Sequence, residues 1–103
     1  ELKHLNKDEF EQAVKAGDEL VVVDFFANGA VPCKMLGPVI ERAADKFSDV
    51  HFYKVDIDEE MDLAAVSGND VPTLIYFKRG EVLSKSVGLV SPADVDKEIS
   101  KLK

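Results

Sequence analysis

Hydrophobic positions follow two different periods along this chain, one typical of β-strands and the other typical of α-helices. The run Val21–Phe26 is apolar at every position except Asp24, which indicates a strand that is buried on both faces. In the stretch 33–47 the apolar residues recur every three or four positions, as they do along the buried side of a helix. Because the two periods alternate through most of the sequence, we predict an α/β fold.

The predicted elements follow the order β-α-β-α-β-α-β-β-α. Strands that are separated by helices are expected to pair in parallel, and the hairpin of the last two strands adds an antiparallel edge. This order predicts a central mixed five-stranded sheet flanked by four helices. The predicted strands are Leu2–Leu5, Glu19–Ala27, Val50–Asp56, Leu74–Phe77 and Glu81–Val87, and the predicted helices are Lys7–Ala16, Cys33–Phe47, Pro92–Leu102 and a segment from Asp58 or Glu59 to Val66.

Capping residues mark the ends of two of these helices. Asn6 and Glu9 have the spacing of a reciprocal capping box at the start of the first helix, and Gly17 is a typical residue for its end. Ser91 followed by Pro92 predicts the start of the last helix, since serine is a good N-cap and proline is tolerated at the first helical position.

The dipeptide Arg79-Gly80 predicts a tight hairpin turn between the last two strands. In the strand after this turn, Val82 and Leu83 are the apolar residues, so we expect them to anchor it to the core. In the third helix the residues predicted to be partly buried are Met61, Leu63, Ala64 and Ala65.

The chain has 103 residues, which fits one domain over residues 1–103, and a formal net charge of −7. The excess of acids argues against nucleic-acid binding, which needs clustered lysines and arginines. No apolar run is long enough to cross a membrane and no signal peptide is recognisable, so we expect a cytoplasmic protein without membrane contact. The most acidic segment is predicted to be a solvated loop and first helical turn, and it contains Asp56, Asp58, Glu59, Glu60 and Asp62.

The only cysteine is the first candidate for chemistry. Cys33 follows the turn signal Asn28-Gly29 and Pro32, so it lies at the start of the predicted helix, where the helix dipole lowers the pKa of a thiol. The alternative is an inert buried thiol. A single cysteine forms no internal disulfide, and because His4 and His51 are far from it in the sequence, we expect no metal site.

Asp24 is the second candidate. A carboxylate within an apolar strand is costly to bury, and its pKa is expected to rise. Titratable groups with shifted pKa values are concentrated at functional sites. The alternative is an acid that reaches solvent at the end of the strand.

The segment Val-Val-Val-Asp-Phe-Phe-Ala at 21–27, followed by Pro-Cys-Lys-Met-Leu at 32–36, resembles the active-site strand, loop and helix of the thioredoxin family. Val71-Pro72-Thr73 matches the proline motif of that family, and Pro38 matches a proline within its active-site helix. The predicted order of elements is that of the thioredoxin fold. The resemblance therefore covers nearly the whole chain.

This resemblance implies roles for four residues. Cys33 matches the family's resolving cysteine, Asp24 matches the acid that exchanges a proton with it, and Lys54 matches the lysine beside that acid. Ala30 stands at the position of the attacking cysteine, so the chain lacks the sulfur that begins disulfide exchange. The alternative for Lys54 is an exposed strand lysine.

The resemblance also implies a surface that binds an extended partner segment. In the family the bond before the motif proline is cis and faces the cysteines, and its backbone pairs with the partner as an added strand. Phe26 and Gly29 stand where most family members carry tryptophan, so this surface has lost aromatic area. The residues expected to bind substrate are Gly29, Val31, Pro32, Val71, Pro72, Thr73 and Gly88.

The activity implied by the resemblance is reduction of protein disulfides in cell redox homeostasis, by a monomer that needs no cofactor. The implied partners are disulfide-bearing proteins and a thioredoxin reductase. The loop Gly29-Ala30-Val31-Pro32-Cys33 is similar to the Gly-Cys-Val-Pro-Cys loop of some thioredoxins from anaerobic bacteria. This similarity suggests that Ala30 is an engineered replacement of a cysteine.

Three hypotheses follow for the chain as it stands. The first is a redox-inactive variant of a dithiol reductase. The second is a natural redox-inactive module that keeps the peptide-binding surface. The third is a monothiol protein that uses Cys33 alone, and it requires a thiol that is accessible in the native protein.

Overall fold

A mixed five-stranded sheet with helices on both faces is the central feature of the computed structural model, which describes residues 1–103. The strands are β1 (Lys3–His4), β2 (Val21–Phe26), β3 (His51–Asp56), β4 (Thr73–Lys78) and β5 (Glu81–Val87). The helices are α1 (Lys7–Ala13), α2 (Val31–Lys46), α3 (Met61–Ala64, followed by a single 3₁₀ turn at Ala65–Ser67) and α4 (Pro92–Leu102).

The strand order in the sheet is β1-β3-β2-β4-β5, which places β2 at the centre. β2 pairs in parallel with β3, and β3 pairs in parallel with β1. β4 runs antiparallel to both β2 and β5. The predicted α/β fold, the order of its elements and its antiparallel hairpin edge are confirmed, and the strand boundaries lie within two residues of the predicted ones.

Every residue of β2 is buried, because helices cover both faces of the sheet at its centre. The side chains of β2 alternate between the two faces, so each face packs against its own set of apolar residues. The cluster with α2 and α4 includes Val22, Leu36, Ile40, Tyr76 and Ile99, and the cluster with α1 and α3 includes Phe10, Val23, Phe25, Leu63 and Ile75.

The capping box at the start of α1 is present as predicted. The Asn6 side chain accepts a hydrogen bond from the Glu9 backbone N–H, and the Glu9 side chain accepts one from the Asn6 N–H, both at 2.9 Å. The helix ends at Ala13, three residues before the predicted end at Ala16. The Val14 carbonyl beyond it accepts a hydrogen bond at 2.7 Å from the N–H of Gly80, in the hairpin turn. The Val14 carbonyl is therefore bonded to the hairpin turn and not to a following turn of the helix.

α2 begins at Val31, two residues before the predicted start. Pro32 is the second residue of the helix, and proline is tolerated there because the N–H groups of the first turn form no hydrogen bonds within the helix. Asp96 of α4 ties this helix to its neighbour. Its carboxylate lies 2.7 Å from both the Arg42 guanidinium and the Lys46 ammonium. α4 begins at Pro92 with Ser91 as its N-cap, as predicted, and the Ser91 hydroxyl accepts a hydrogen bond from the Asp94 N–H at 3.1 Å.

α3 is shorter than predicted. The Asp56 side chain accepts a hydrogen bond at 2.9 Å from the Asp58 N–H, and the resulting turn replaces the expected first helical turn. Asp56 is itself buried, so the prediction that the whole acidic segment is solvated is wrong at this residue. Met61 is 77% exposed and Ala65 is exposed, so only Leu63 and Ala64 of the expected buried set are sheltered.

The prediction that Val82 and Leu83 anchor β5 is wrong, since both side chains are exposed. β5 is the edge strand, and its register against β4 shifts between Tyr76 and Phe77, so that Leu83 is an extra residue in the pairing. The half-buried positions of this strand are Ser84 and Ser86. The turn at Arg79 and Gly80 is as predicted, with positive φ at both residues. No helix has the length and hydrophobicity that a membrane span requires.

Candidate active site

Asp24 lies in the middle of the central strand and is 1% exposed. Its neighbours in the sheet are Lys54 on β3 and Leu74 on β4. No hydrogen bond from the protein reaches either carboxylate oxygen. Burial therefore raises the pKa of Asp24 to about 6, although the positive charge of Lys54 opposes this rise.

The loop after β2 places Ala30 at the N-cap of α2. Its N–H donates to the Ala27 carbonyl at 3.2 Å, and its own carbonyl accepts from the Lys34 N–H at 3.2 Å. Cys33 is the third residue of the helix, one turn beyond the N-cap. The side chain of residue 30 is half-exposed, whereas Cys33 is buried and unpaired.

The Cys33 thiol has a raised pKa, and burial is the main cause. The negative charge of Asp24 raises the pKa further, while a hydrogen bond with the backbone of Ala27 and the charge of Lys54 lower it. The N-terminus of a helix by itself favours a thiolate, so at this position burial outweighs the expected effect of the helix dipole. Cys33 is thus protonated and sheltered in the resting protein.

Lys54 is half-buried on β3, and its ammonium lies 4.3 Å from the centre of the Phe26 ring. It forms none of the ion pairs of the structure. A cavity of 270 Å³ opens beside it, between the end of β2, the following loop and α2. Its lining includes Phe26, Ala27, Cys33, Lys34, Glu41 and Lys54.

The Val71–Pro72 peptide bond is cis, as the resemblance implied. Pro72 is buried, and its carbonyl accepts a hydrogen bond from the Gly88 N–H at 2.8 Å. Thr73 is fully buried, and its hydroxyl donates to the Asp70 carbonyl at 2.7 Å. These contacts hold the proline motif and Gly88 together at the start of β4.

The two groups of predicted residues lie at the same end of the sheet. In the antiparallel pairing of β2 with β4, Thr73 is opposite Phe25. The chain enters β4 where it leaves β2, so the proline motif and the loop that leads to Ala30 share one edge of the sheet. The loop presents an exposed surface there, since Gly29 and Pro32 are exposed and the Val31 side chain is 63% exposed.

The comparison with known protein families covers the whole fold and not only these residues. The thioredoxin family model matches residues 1–101. This chain belongs to the thioredoxin family.

Individual thioredoxins match over almost the full chain. Thioredoxin-2 of Saccharomyces cerevisiae is 44% identical over 93 residues, which are 89% of this chain and 88% of the yeast protein. The structure of Plasmodium falciparum thioredoxin has a TM-score of 0.89 at 28% identity and covers 99% of this chain and 100% of its own. The oxidised mitochondrial thioredoxin 3 of Saccharomyces cerevisiae has a TM-score of 0.87 at 31% identity, covering 97% and 94%.

Two features of the candidate site were missed in the sequence. Asp56 accepts a hydrogen bond from the Asn28 side chain at 3.4 Å, which links the loop after β2 to the end of β3. Its position at the end of a buried strand was the available signal. The other feature is the contact of the Lys54 ammonium with the Phe26 ring. In the sequence, Phe26 had been considered only as a replacement of the tryptophan that most family members carry. No group of three or more His, Cys, Asp or Glu side chains is placed to bind a metal ion.

Proposed function

We propose that this chain is a thioredoxin whose dithiol site has lost its attacking sulfur, and that it does not exchange disulfides as it stands. The observation that carries the proposal is the contrast between positions 30 and 33. The half-exposed N-cap position, where an attacking thiolate would be stabilised, holds the methyl group of Ala30. The only thiol, on Cys33, is buried with a raised pKa, which suits a resolving cysteine and not an attacking one.

With cysteine at position 30, the reaction would proceed in two exchanges. The thiolate at position 30 attacks one sulfur of a partner disulfide, forming a mixed disulfide while the second partner sulfur leaves as a thiolate. Cys33 then loses its proton and attacks the sulfur at position 30, which breaks the mixed disulfide and releases the first partner sulfur. The partner gains two electrons, and the protein retains a disulfide between positions 30 and 33.

Asp24 would accept the proton of Cys33 in the second exchange. Its raised pKa, about 6, makes it a better proton acceptor near neutral pH than an ordinary solvated aspartate would be. The charge of Lys54 lowers the pKa of Cys33 and so favours the thiolate that attacks. The two residues therefore act on the resolving thiol in different ways, one as a base and the other through its field.

The partner segment would bind across the edge formed by the cis Pro72 and the exposed loop. The residues proposed to contact it are Gly29, Val31, Pro32, Val71, Pro72, Thr73 and Gly88. Partners of this kind are proteins with an accessible disulfide, and a thioredoxin reductase would return the protein disulfide to the dithiol. The two sulfurs carry the electrons themselves, so the reaction needs no bound cofactor. We further propose that the protein acts as a monomer of one domain in the cytoplasm.

The origin of Ala30 is part of the proposal. The loop differs from the Gly-Cys-Val-Pro-Cys loop of the anaerobe type by a single atom, the sulfur that alanine lacks. A resolving cysteine with its buried acid has no evident use in a protein that never had the first thiol. We therefore infer that residue 30 was a cysteine and that alanine is an engineered replacement.

The alternative function is a natural thioredoxin-like module that binds peptides without redox chemistry. The exposed Val31 side chain favours it, because this residue belongs to the proposed binding edge and its contacts do not depend on a sulfur. Such a module binds its partner equally well with and without reductant. An alanine codon at position 30 in the encoding gene would favour this alternative over an engineered change.

Reduction of insulin disulfides by Ala30→Cys tests the main proposal. We expect Ala30→Cys to reduce insulin with dithiothreitol or a thioredoxin reductase as electron donor, while the parent chain and Ala30→Ser remain at the background rate. Ala30→Ser is the matched control, since it adds an atom of similar size without a nucleophilic thiol. An inactive Ala30→Cys that keeps the fold would contradict the proposal.

A further inference from the structure

The Lys54 ammonium lies against an aromatic ring and not against the acid next to it in the sheet. Asp24 and Lys54 are partners in the parallel register of β2 and β3, yet no hydrogen bond joins them. The ammonium is instead 4.3 Å from the centre of the Phe26 ring, within the distance of a cation–π contact. Phe26 lies two residues after Asp24, so both side chains project from the same face of β2.

The Phe26 ring is held in place by its other contacts. It is 5% exposed, and its backbone carbonyl accepts a hydrogen bond from the Ile57 N–H at 3.0 Å. The His4 ring packs edge-on against it, with centroids 5.3 Å apart and an interplanar angle of 65°. His4 is also the register partner of Lys54 between β1 and β3, so three adjacent strands meet at this ring.

We propose that Phe26 is a positioning residue for the thiol chemistry, which it serves by holding the Lys54 ammonium beside the cavity that Cys33 lines. The importance of this role for thiol chemistry rests on the proposed function. The contact between Lys54 and Phe26 is independent of that function, since it is present in the chain with Ala30.

The physical basis is the mobility of a lysine side chain. An ammonium on a flexible four-carbon stem is strongly hydrated, so without the ring it would move into solvent. The field of Lys54 at Asp24 and Cys33 would then weaken, because the interaction energy falls with distance and with the rise in effective dielectric. The other titratable groups around this site are His4, which is the register partner of Lys54 on β1, Asp56, which is the register partner of Phe26 on β3, and Lys34 and Glu41 of α2, which line the same cavity.

The titration of Asp24, followed by carboxyl carbon NMR in the chain with Ala30, measures the role of the ring. In Phe26→Leu we expect the proton affinity of Asp24 to increase about threefold, since the favourable charge of Lys54 recedes from the carboxylate. In Phe26→Trp, which restores an aromatic face, we expect the parent value. If Phe26→Leu does not fold, Phe26→Met, whose unbranched and flexible side chain adapts better to the space left by a ring, replaces it.

A double-mutant cycle with Lys54→Met separates this role from simple packing. If Phe26 acts through Lys54, Phe26→Leu changes the titration of Asp24 in the parent and not in the Lys54→Met background. Phe47→Leu is the matched control, because the Phe47 ring also lies near lysines, with the Lys103 ammonium 5.4 Å from its centre, but outside the site. It should leave Asp24 unchanged.

An unchanged titration in Phe26→Leu, or an equal change in both backgrounds, would overturn the inference. The titrations of Asp24 do not depend on disulfide reduction. If Ala30→Cys failed to reduce insulin, the proposed function would be contradicted and the inference about Phe26 would stand. If the titrations gave an unchanged Asp24, the inference about Phe26 would be contradicted and the proposed function would stand.

Discussion

Ala30 and Cys33 lie one helical turn apart at the start of α2, the first as the N-cap and the second as the third residue of the helix. Residues three apart along a helix have side chains on the same side of it. The proposed function requires cysteines at these two positions to approach within disulfide distance. The proposed function assigns a pair of sulfurs to these two positions. The chain carries only the inner one, on Cys33.

The reactivity of Cys33 separates a resolving thiol from a monothiol nucleophile. Because the thiol is buried and burial raises its pKa, we expect iodoacetamide at pH 7 to alkylate the native chain at least about a hundredfold more slowly than the unfolded chain. The measurement is the rate of mass increase in buffer and in guanidinium chloride. Equal rates in the two solvents would favour a protein that works with Cys33 alone.

The stability of Asp24→Asn should exceed that of the parent above neutral pH. In the folded chain the pKa of Asp24 is about 6, above its ordinary value of 3.8, so the folded state holds this proton more tightly. The contribution of Asp24 to stability therefore falls as the pH rises between these values, by about 3 kcal/mol in all. An asparagine carries no charge to bury, although its amide also lacks partners.

We expect Asp24→Asn to be more stable than the parent by about 2 kcal/mol at pH 8, a rise in melting temperature on the order of 10 °C. At pH 4 the two proteins should unfold together, since Asp24 is then protonated in the folded chain. Urea unfolding at both pH values measures the difference. A lower stability of the variant at pH 8 would contradict the account of Asp24 as an unpaired buried acid.

Gly88 and Gly29 should respond differently to alanine. Gly88 has φ of +92° and donates its N–H to Pro72, whereas Gly29 lies outside the left-handed region. A Cβ at either position meets no atom within 4 Å, so backbone conformation alone distinguishes them. We expect Gly88→Ala to destabilise by about 1 to 2 kcal/mol and Gly29→Ala to change stability by less than about 0.5 kcal/mol. Thermal unfolding of the pair tests this, and equal effects would count against strain at Gly88.

The layout of the fold could be predicted from the sequence because local signals agree with it. The buried run of β2, the capping box of α1, the N-cap of α4 and the turn at Arg79-Gly80 all depend on residues that are close in the chain. The predictions failed where a distant partner decides the structure. Gly80 takes the Val14 carbonyl and shortens α1, and the edge position and bulge of β5 leave Val82 and Leu83 exposed.

The same distinction applies to the site. Asp24 and Cys33 were recognisable because burial and a helix start can be anticipated from neighbouring residues. The partner of Lys54 could not be anticipated, because register alone places its side chain beside Asp24 and only the packing of β1 against β3 brings His4 and Phe26 together. The shelter of Asp56 likewise depends on the path of the loop that carries Asn28.

We propose that position 30 and Cys33 form the two halves of one dithiol site. The most direct test of this proposal is the oxidation of Ala30→Cys with diamide or oxidised dithiothreitol, followed by a count of free thiols and by intact mass. We predict a monomer that loses two hydrogens and both titratable thiols, while the parent retains its single thiol. An Ala30→Cys protein that keeps the fold and two free thiols under the same oxidant, or that cross-links only between molecules, would contradict the account.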